Sequence, residues 1–577
     1  MSRHSIRFGT SRRAILVGMA GAAALGAFPS LSLAHDEPGN PVFRHGVASG
    51  DPAATSVVLW THVTASGEIA VEWELSDSLD FIRIVKSGAV TTGPERDHTV
   101  KLLADGLTPG GTWFYRFRTN GAVSPVGRAR TLPEGRLDRL GIALASCSNY
   151  AFGFFNAYDA IAADPHIDFV LHTGDYLYEY GADGWGSVVA KRLGRVHEPA
   201  NEIVSLSDYR TRHAQYKSDA GSQALLAAHT LLACWDDHES ANNPWTGGAQ
   251  NHQPDKEGDW KARRAASIRA YFEWMPVREP EWLNDSRSKT RMQFWRSYRF
   301  GDLATLATLE TRHTARAEQI DYLQWYPKIG SQADADAFQR DVLGKAGRRM
   351  ISPECEADVA ESLSRSVKDG QPWRLIGNAI NIAKMPIPDL VSRGLLPELK
   401  TVTGSDGKVD AAKTLESQPG ADLAWKGKWK LPFYTDTWDG YPWAREQLYA
   451  LSRKAGAGDL VFLTGDSHSF WANRLFDDAG RSAGVEIGTA GITSPGDFIE
   501  QGFSPKQAAE LDKALADHID EVVWTDNLHQ GYVRISLQRD RGEVEYIGMS
   551  TVRSRDYFTS VVKRLPLIRK DGAVNFA

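Results

Sequence analysis

The chain has 577 residues, a formal net charge of −6, 42% hydrophobic and 24% charged residues; this is the composition of a globular protein of about two to four domains and excludes global disorder. Three cysteines in that length exclude a disulfide scaffold, and the acidic balance excludes a basic nucleic-acid-binding surface that would neutralise a run of phosphates. Eighteen tryptophans point to aromatic-lined clefts as well as core.

In chain order, the first predicted element is an export signal. Arg3, Arg7, Arg12 and Arg13 make a basic start with no acidic residue, the run from Ala14 to Phe28 is apolar, and Ser32-Leu33-Ala34 has the small-x-small form of a cleavage site. Fifteen apolar residues fall short of the roughly 20 that a spanning helix needs, so residues 1–34 read as a removed leader. Ser11-Arg12-Arg13-Ala14-Ile15-Leu16 resembles the twin-arginine signal, which bacteria use to export folded proteins; the alternative is an ordinary secretory signal that carries two arginines. Export by the twin-arginine machinery implies a periplasmic or extracellular protein that takes up metal, and folds with reduced thiols, before it leaves the cytoplasm. No other stretch is apolar enough to span a membrane, and a monomer is expected.

Residues 41–133 read as β. Val57-Val58-Leu59-Trp60-Thr61 is a strand; Ala70 to Leu75 and Thr112 to Arg118 alternate, the latter after the turn Leu107-Thr108-Pro109-Gly110-Gly111. The Leu-x-Pro-Gly…Tyr arrangement resembles fibronectin-type domains, so a small β-sandwich without chemistry of its own is expected here.

From residue 138 to the C-terminus the texture is α/β. Leu140 to Ala145, Asp168 to His172, Leu231 to Trp235 and Leu460 to Thr464 are short apolar runs, each followed at once by polar residues. Such strands deliver side chains to a crevice at their C-terminal ends. They end in Ala145-Ser146-Cys147, in Gly174-Asp175-Tyr176-Leu177-Tyr178, in Trp235-Asp236-Asp237-His238-Glu239 and in Gly465-Asp466-Ser467-His468. Cys, Asp, Asp-His and Asp-x-His in that order form a metal-ligand inventory. The polar stretches 314–372 and 395–440 are too long for plain loops and are expected to decorate or cover the site.

This order resembles the calcineurin-like metallophosphatases, and more closely the alkaline phosphatase D (PhoD-like) family, whose motifs read A-S-C, G-D-Y-x-Y, W-D-D-H-E and G-D-S-H. Gly46 to Pro52, Trp438-Asp439-Gly440-Tyr441-Pro442 and Ile492 to Gly496 are family-like as well. The resemblance implies a metallophosphatase-type α-β-β-α core with helical decorations, behind a small all-β fibronectin-like domain. It also implies alkaline phosphatase or phosphodiesterase activity on a phosphate ester, with Fe3+ and one or two Ca2+.

The departures from the wider superfamily pattern carry chemistry. Tyr178 matches the purple acid phosphatases, where a phenolate binds ferric iron, and Cys147 stands where a histidine is usual. Cys147, Asp175, Tyr178 and His468 are therefore assigned to an iron site, with Asp175 bridging to a second site. There Asp237 stands where an asparagine is usual and Asp466 where a histidine is usual, and no histidine lies between His313 and His468. A carboxylate-rich site favours calcium, magnesium or manganese over zinc. Asn378 is either an oxygen ligand or a capping asparagine. His238 is the candidate general acid, or else a residue that orients Asp237; Arg312 is a candidate phosphate binder. Asp236 and Glu239 are expected behind the ligands. Three alternatives stay open: a phospholipase D-like or other diesterase for a lipid, nucleotide or polymer, a di-zinc phosphatase, and a non-catalytic exported binding protein.

Overall fold

The computed structural model describes residues 42–279, 294–417, 420–570 and 572–577; the export signal read at residues 1–34 lies outside them. Every strand-forming run named above becomes a strand; Ile69–Ser76 and Thr112–Thr119 lie in a small five-stranded sheet, and the others belong to two large sheets. In the first, Arg139–Ala145, Phe169–His172, Thr230–Ala233 and Val47–Gly50 run parallel at the centre. Antiparallel strands Gly531–Gln538, Arg541–Met549, Thr559–Lys570 and Ala573–Phe576 extend one edge, and Val57–His62 and Thr99–Ala104 the other. The second sheet has Ala304–Thr308, Trp373–Gly377, Leu460–Thr464 and Ser482–Gly488 parallel at its centre.

Alternation along these strands decides what lies where. Ile142, Leu144, Leu171 and Leu232 pack against Leu306, Leu375, Val461 and Leu463 in the core between the two sheets. Their neighbours Ala143, Ala145, Val170 and Leu231 face an outer layer formed by helices Asn156–Ala163, Leu206–Lys217, Ala220–Ala228 and Trp260–Trp274. On the opposite side Ala307, Ile376, Leu460 and Phe462 face helices Pro353–Lys368, Pro442–Lys454 and Pro505–His518. The result is the expected α-β-β-α core. Helix starts follow the local chemistry: Ser205 and Ser504 make capping boxes with Asp208 and Gln507, and Asp219, Asp259 and Ser352 cap through their side chains.

The N-terminal β region is shared with this core. Val57 and Leu59 face Val71, Leu75, Trp113, Tyr115 and Phe117 in a small core of their own. On the other face of the same strands Ala48 and Trp60 belong to the helix layer of the large domain. Trp60 is fully buried, and its indole N–H donates to the carbonyl of Glu273 at 2.8 Å. Ser49 and Gly50 pair in parallel with Thr230 and Leu231, so one sheet runs through both regions. The stretches 314–372 and 395–440 share a cluster of Tyr322, Tyr326, Ile329, Phe338, Trp425 and Leu431.

Candidate active site

The strand-end residues of both sheets meet at one place. Cys147, Asp175 and Asp237 follow strands of the first sheet; Arg312, Asp466 and His468 follow strands of the second. The chain turns sharply after each strand. Cys147, Asp175, Asp466 and His468 all adopt left-handed backbone, with φ of 59°, 55°, 61° and 54°. Side-chain-bearing residues seldom take that conformation, and where they do the surrounding structure enforces it. Gly174 shows the crowding: a Cβ there would lie 2.2 Å from the Cβ of Asp236.

Asp175 stands at the junction of two groups of donors. Its Oδ2 is 3.5 Å from the Cys147 Sγ and accepts from the Tyr178 hydroxyl at 3.1 Å. The same hydroxyl is 3.3 Å from His468 Nε2 and 2.9 Å from Ser494 Oγ. Ligand atoms of Cys147, Asp175 and His468 lie within 4.8 Å of one another, and so do those of Asp175, Asp236, Asp237 and Asp466. The first set offers sulfur, phenol oxygen, carboxylate and imidazole; the second is carboxylate throughout.

Arg312 is buried beside the second set. Its Nε donates to Asp236 Oδ1 at 2.5 Å and its Nη2 to Asp466 Oδ1 at 3.3 Å, while its Nη1 has no hydrogen-bond partner among the described residues. Glu310 holds the turn that carries it, accepting from the main-chain N–H of Arg312, His313 and Thr314. Glu239 does the same for the first sheet, accepting from the N–H groups of Asp175, Tyr176 and Asp236. His238 Nδ1 pairs with Glu179 Oε2 at 2.6 Å, and Glu179 is held in turn by Asn242 N–H and the Asn251 amide. The Tyr178 ring packs on the His238 ring at 4.1 Å.

Electrostatics sort these groups. Burial, then the neighbouring carboxylates, push Asp175 well above the usual carboxylate range; burial lifts Asp466 to about 7 and raises the Cys147 thiol and the Tyr178 phenol. Burial alone would neutralise His238, but the Asp237 and Glu179 carboxylates outweigh it and hold the imidazole up to about 9. Asp237 is likewise resisted by burial, yet His238 and Arg312 keep it below its usual value. A crowd of buried anionic donors offset by one arginine and one histidine is a donor set that multivalent cations fit, because such ions reverse these shifts.

The structure therefore gathers Cys147, Asp175, Tyr178, Asp237, His238, Arg312, Asp466 and His468. Asn378 is engaged otherwise. Its Oδ1 accepts from the Trp438 indole at 3.2 Å and its amide donates to the Ile380 carbonyl, so these bonds favour the capping alternative. Three residues escaped the sequence reading. Glu179 carried the faint signal of following Tyr178 directly. Trp185, stacked on His468 at 5.5 Å, and Asp497, whose carboxylate takes the Tyr434 hydroxyl at 2.8 Å, carried none.

Two stacked sheets flanked by helices, with acidic side chains gathered at the strand ends, make this a metallophosphatase-type fold. The chain belongs to the PhoD-like phosphatase family, which matches residues 142–546, while the N-terminal domain of PhoD-like phosphatases matches residues 29–133. It is 30% identical over 523 residues to "Alkaline phosphatase D" of Bacillus subtilis (strain 168), a match that covers 87% of this chain and 77% of that protein. It is also similar to the solved "Structure of PhoD", with a TM-score of 0.71 at 26% identity over 94% of this chain and 93% of the other. The chain is thus a phosphoric ester hydrolase of that family. No helix among the described residues is long and apolar enough to cross a membrane.

Proposed function

We propose that the chain is an exported phosphatase or phosphodiesterase that works with an iron-type site beside a carboxylate-rich calcium-type site. Cys147, Asp175, Tyr178 and His468 would hold the first ion; Asp237 and Asp466, with Asp175 shared, would hold the second. The carrying observation is Asp175, which belongs both to the sulfur-containing donor set and to the all-carboxylate one. Adjacent cations, when bound, supply charge neutralisation for a phosphoryl group and a water acidic enough to attack it.

The side chains of the protein supply the rest. Arg312 orients Asp236 and Asp466, and its Nη1, without a hydrogen-bond partner among the described residues, offers a donor to a phosphoryl oxygen. His238 is fixed at Nδ1 by Glu179, which leaves Nε2 to protonate the departing alcohol.

Metal analysis beside a panel of mono- and diesters across pH tests this reading. It expects iron with calcium, a visible charge-transfer band and hydrolysis that calcium chelation abolishes while the band remains. A colourless, metal-free, inactive protein would leave a binding role, and two zinc ions without iron would leave a di-zinc phosphatase. Export is tested separately by replacing Arg12 and Arg13 with lysine, which should retain the protein in the cytoplasm if the twin-arginine route is used.

A further inference from the structure

We infer, on the ligand reading proposed above, that Trp185 is a positioning residue of the sulfur-containing donor set: its indole fixes the imidazole plane of His468. The four donors differ in exposure. Cys147, Asp175 and Tyr178 have none, whereas His468 is half-buried. His468 is therefore the ligand that water and a competing chelator reach first, and its loosening would begin the release of an ion. It is also weakly anchored. Its Nε2 is 3.3 Å from the Tyr178 hydroxyl, but its Nδ1 has no hydrogen-bond partner among the described residues. The Pro495 carbonyl is near enough to act on the ring, yet Nδ1 makes no bond to it of normal geometry. A ligand histidine ordinarily donates its second ring N–H to a carboxylate or a carbonyl, and that bond sets the plane of the ring. Here another contact has to set it.

Trp185 meets that requirement. Its ring stacks on His468 with centroids 5.5 Å apart and planes 18° from parallel, and it packs on the Tyr178 ring at 5.6 Å. One indole thus touches both aromatic donors of the set. A stacked ring resists tilting, because tilting opens a gap and forfeits dispersion contact. The indole is itself held on its other sides. Its N–H donates to the Glu500 carboxylate, while Phe152 at 4.7 Å and Tyr180 at 6.0 Å pack against it edge to face. The loop that carries it is tied by bonds from the Gly184 N–H to the Gly181 carbonyl and from the Ser187 N–H to the Gly184 carbonyl. Gly186, with φ of 87°, comes so near Phe152 that a Cβ there would lie 2.9 Å from its ring. Trp185 is half-buried and joins neither of the large helix-facing cores, so its contacts serve the donors rather than the core.

The test is made on the protein loaded with ferric iron and needs no substrate. Trp185→Leu keeps apolar bulk and removes the flat face; Trp185→Phe keeps a flat face and loses the N–H. The leucine variant should release iron to excess desferrioxamine about tenfold or more faster, the scale on which outer partners of metal ligands act. Its charge-transfer band should shift, and pulsed EPR should show an altered nitrogen coupling from the His468 imidazole. The phenylalanine variant should bring release, band and coupling back close to those of the unaltered protein. A side chain that only filled space would not tell leucine from phenylalanine, so equal behaviour of the two variants, changed or unchanged, overturns the inference. Faster release with an unaltered nitrogen coupling overturns it as well, because Trp185 would then act elsewhere than on His468. If the unaltered protein takes up no ferric iron, or shows no imidazole coupling, the ligand reading falls and the inference with it. If it shows both and the leucine variant matches it, the ligand reading stands and the inference alone falls.

Discussion

Tyr178 and His238 lie ring on ring, yet the groups around them give them opposite tasks. The Tyr178 hydroxyl is aimed at Asp175 Oδ2 and His468 Nε2, whereas His238 turns its Nδ1 to Glu179. Replacing Tyr178 by Phe should bleach or shift the charge-transfer band expected of the proposed iron site and leave the fold intact; an unchanged spectrum removes Tyr178 from the proposed ligands. His238→Gln should slow esters of poor leaving alcohols by about 10²–10⁴-fold and spare activated esters. Equal losses on both kinds of ester would make His238 a residue that orients Asp237. Glu179→Gln tests the same assignment through pH. An acid that must be protonated loses activity as pH rises through its pKa, and Glu179 is one of the charges that lift His238 to about 9. The alkaline limb of kcat/KM should therefore move to lower pH in the variant, and an unmoved limb would speak against the assignment.

Among the elements, the strand pair Val47–Gly50 and Val57–His62 carries the most consequence. Its two faces serve two cores, and Trp60 fills the layer under helix Trp260–Trp274. Truncating that fully buried ring should cost about 3–5 kcal/mol, read from denaturant midpoints of Trp60→Ala. The same seam buries His62 and half-buries His45, with their Nδ1 atoms 2.9 Å apart, and His62 stacked on Trp274 at 4.9 Å. Burial lowers their pKa values to about 4 and 3 from 6.5. Below pH 6.5 the unfolded chain thus binds protons that the folded chain refuses, so stability declines as pH falls from about 6.5 toward 4. Unfolding midpoints followed between pH 8 and pH 5 check this, and a flat profile across pH 6.5 would contradict it.

For the whole molecule, the continuous sheet makes the two regions interdependent. A chain starting at residue 138 would expose the edge of Thr230–Ala233, now paired with Val47–Gly50, and uncover Trp274. It should fail to fold into a soluble, metal-retaining protein; cooperative unfolding and full metal content in such a chain would show the regions to be separable. The tertiary arrangement also turns the two inserted stretches from decoration into the wall of a groove, which no local pattern in either stretch announces.

The sequence by itself determined the strands and the chemistry at their ends. Short apolar runs stopping at Cys147, Asp175, Asp237 and Asp466 are local information, because the apolar run that forms a strand and the polar residue that ends it are both written in neighbouring side chains. Only the tertiary structure decided which of those side chains meet. Cys147 reaches His468 because two separate sheets stack with their strand ends together, and because left-handed turns aim the side chains inward at a conformational cost that the packing sustains. Asn378 carried the same strand-end signal and was instead taken by Trp438, and Glu310 was turned to hold main-chain N–H groups. Hydrogen-bond partners distant in the chain made those choices, and a residue's neighbours in sequence do not record them.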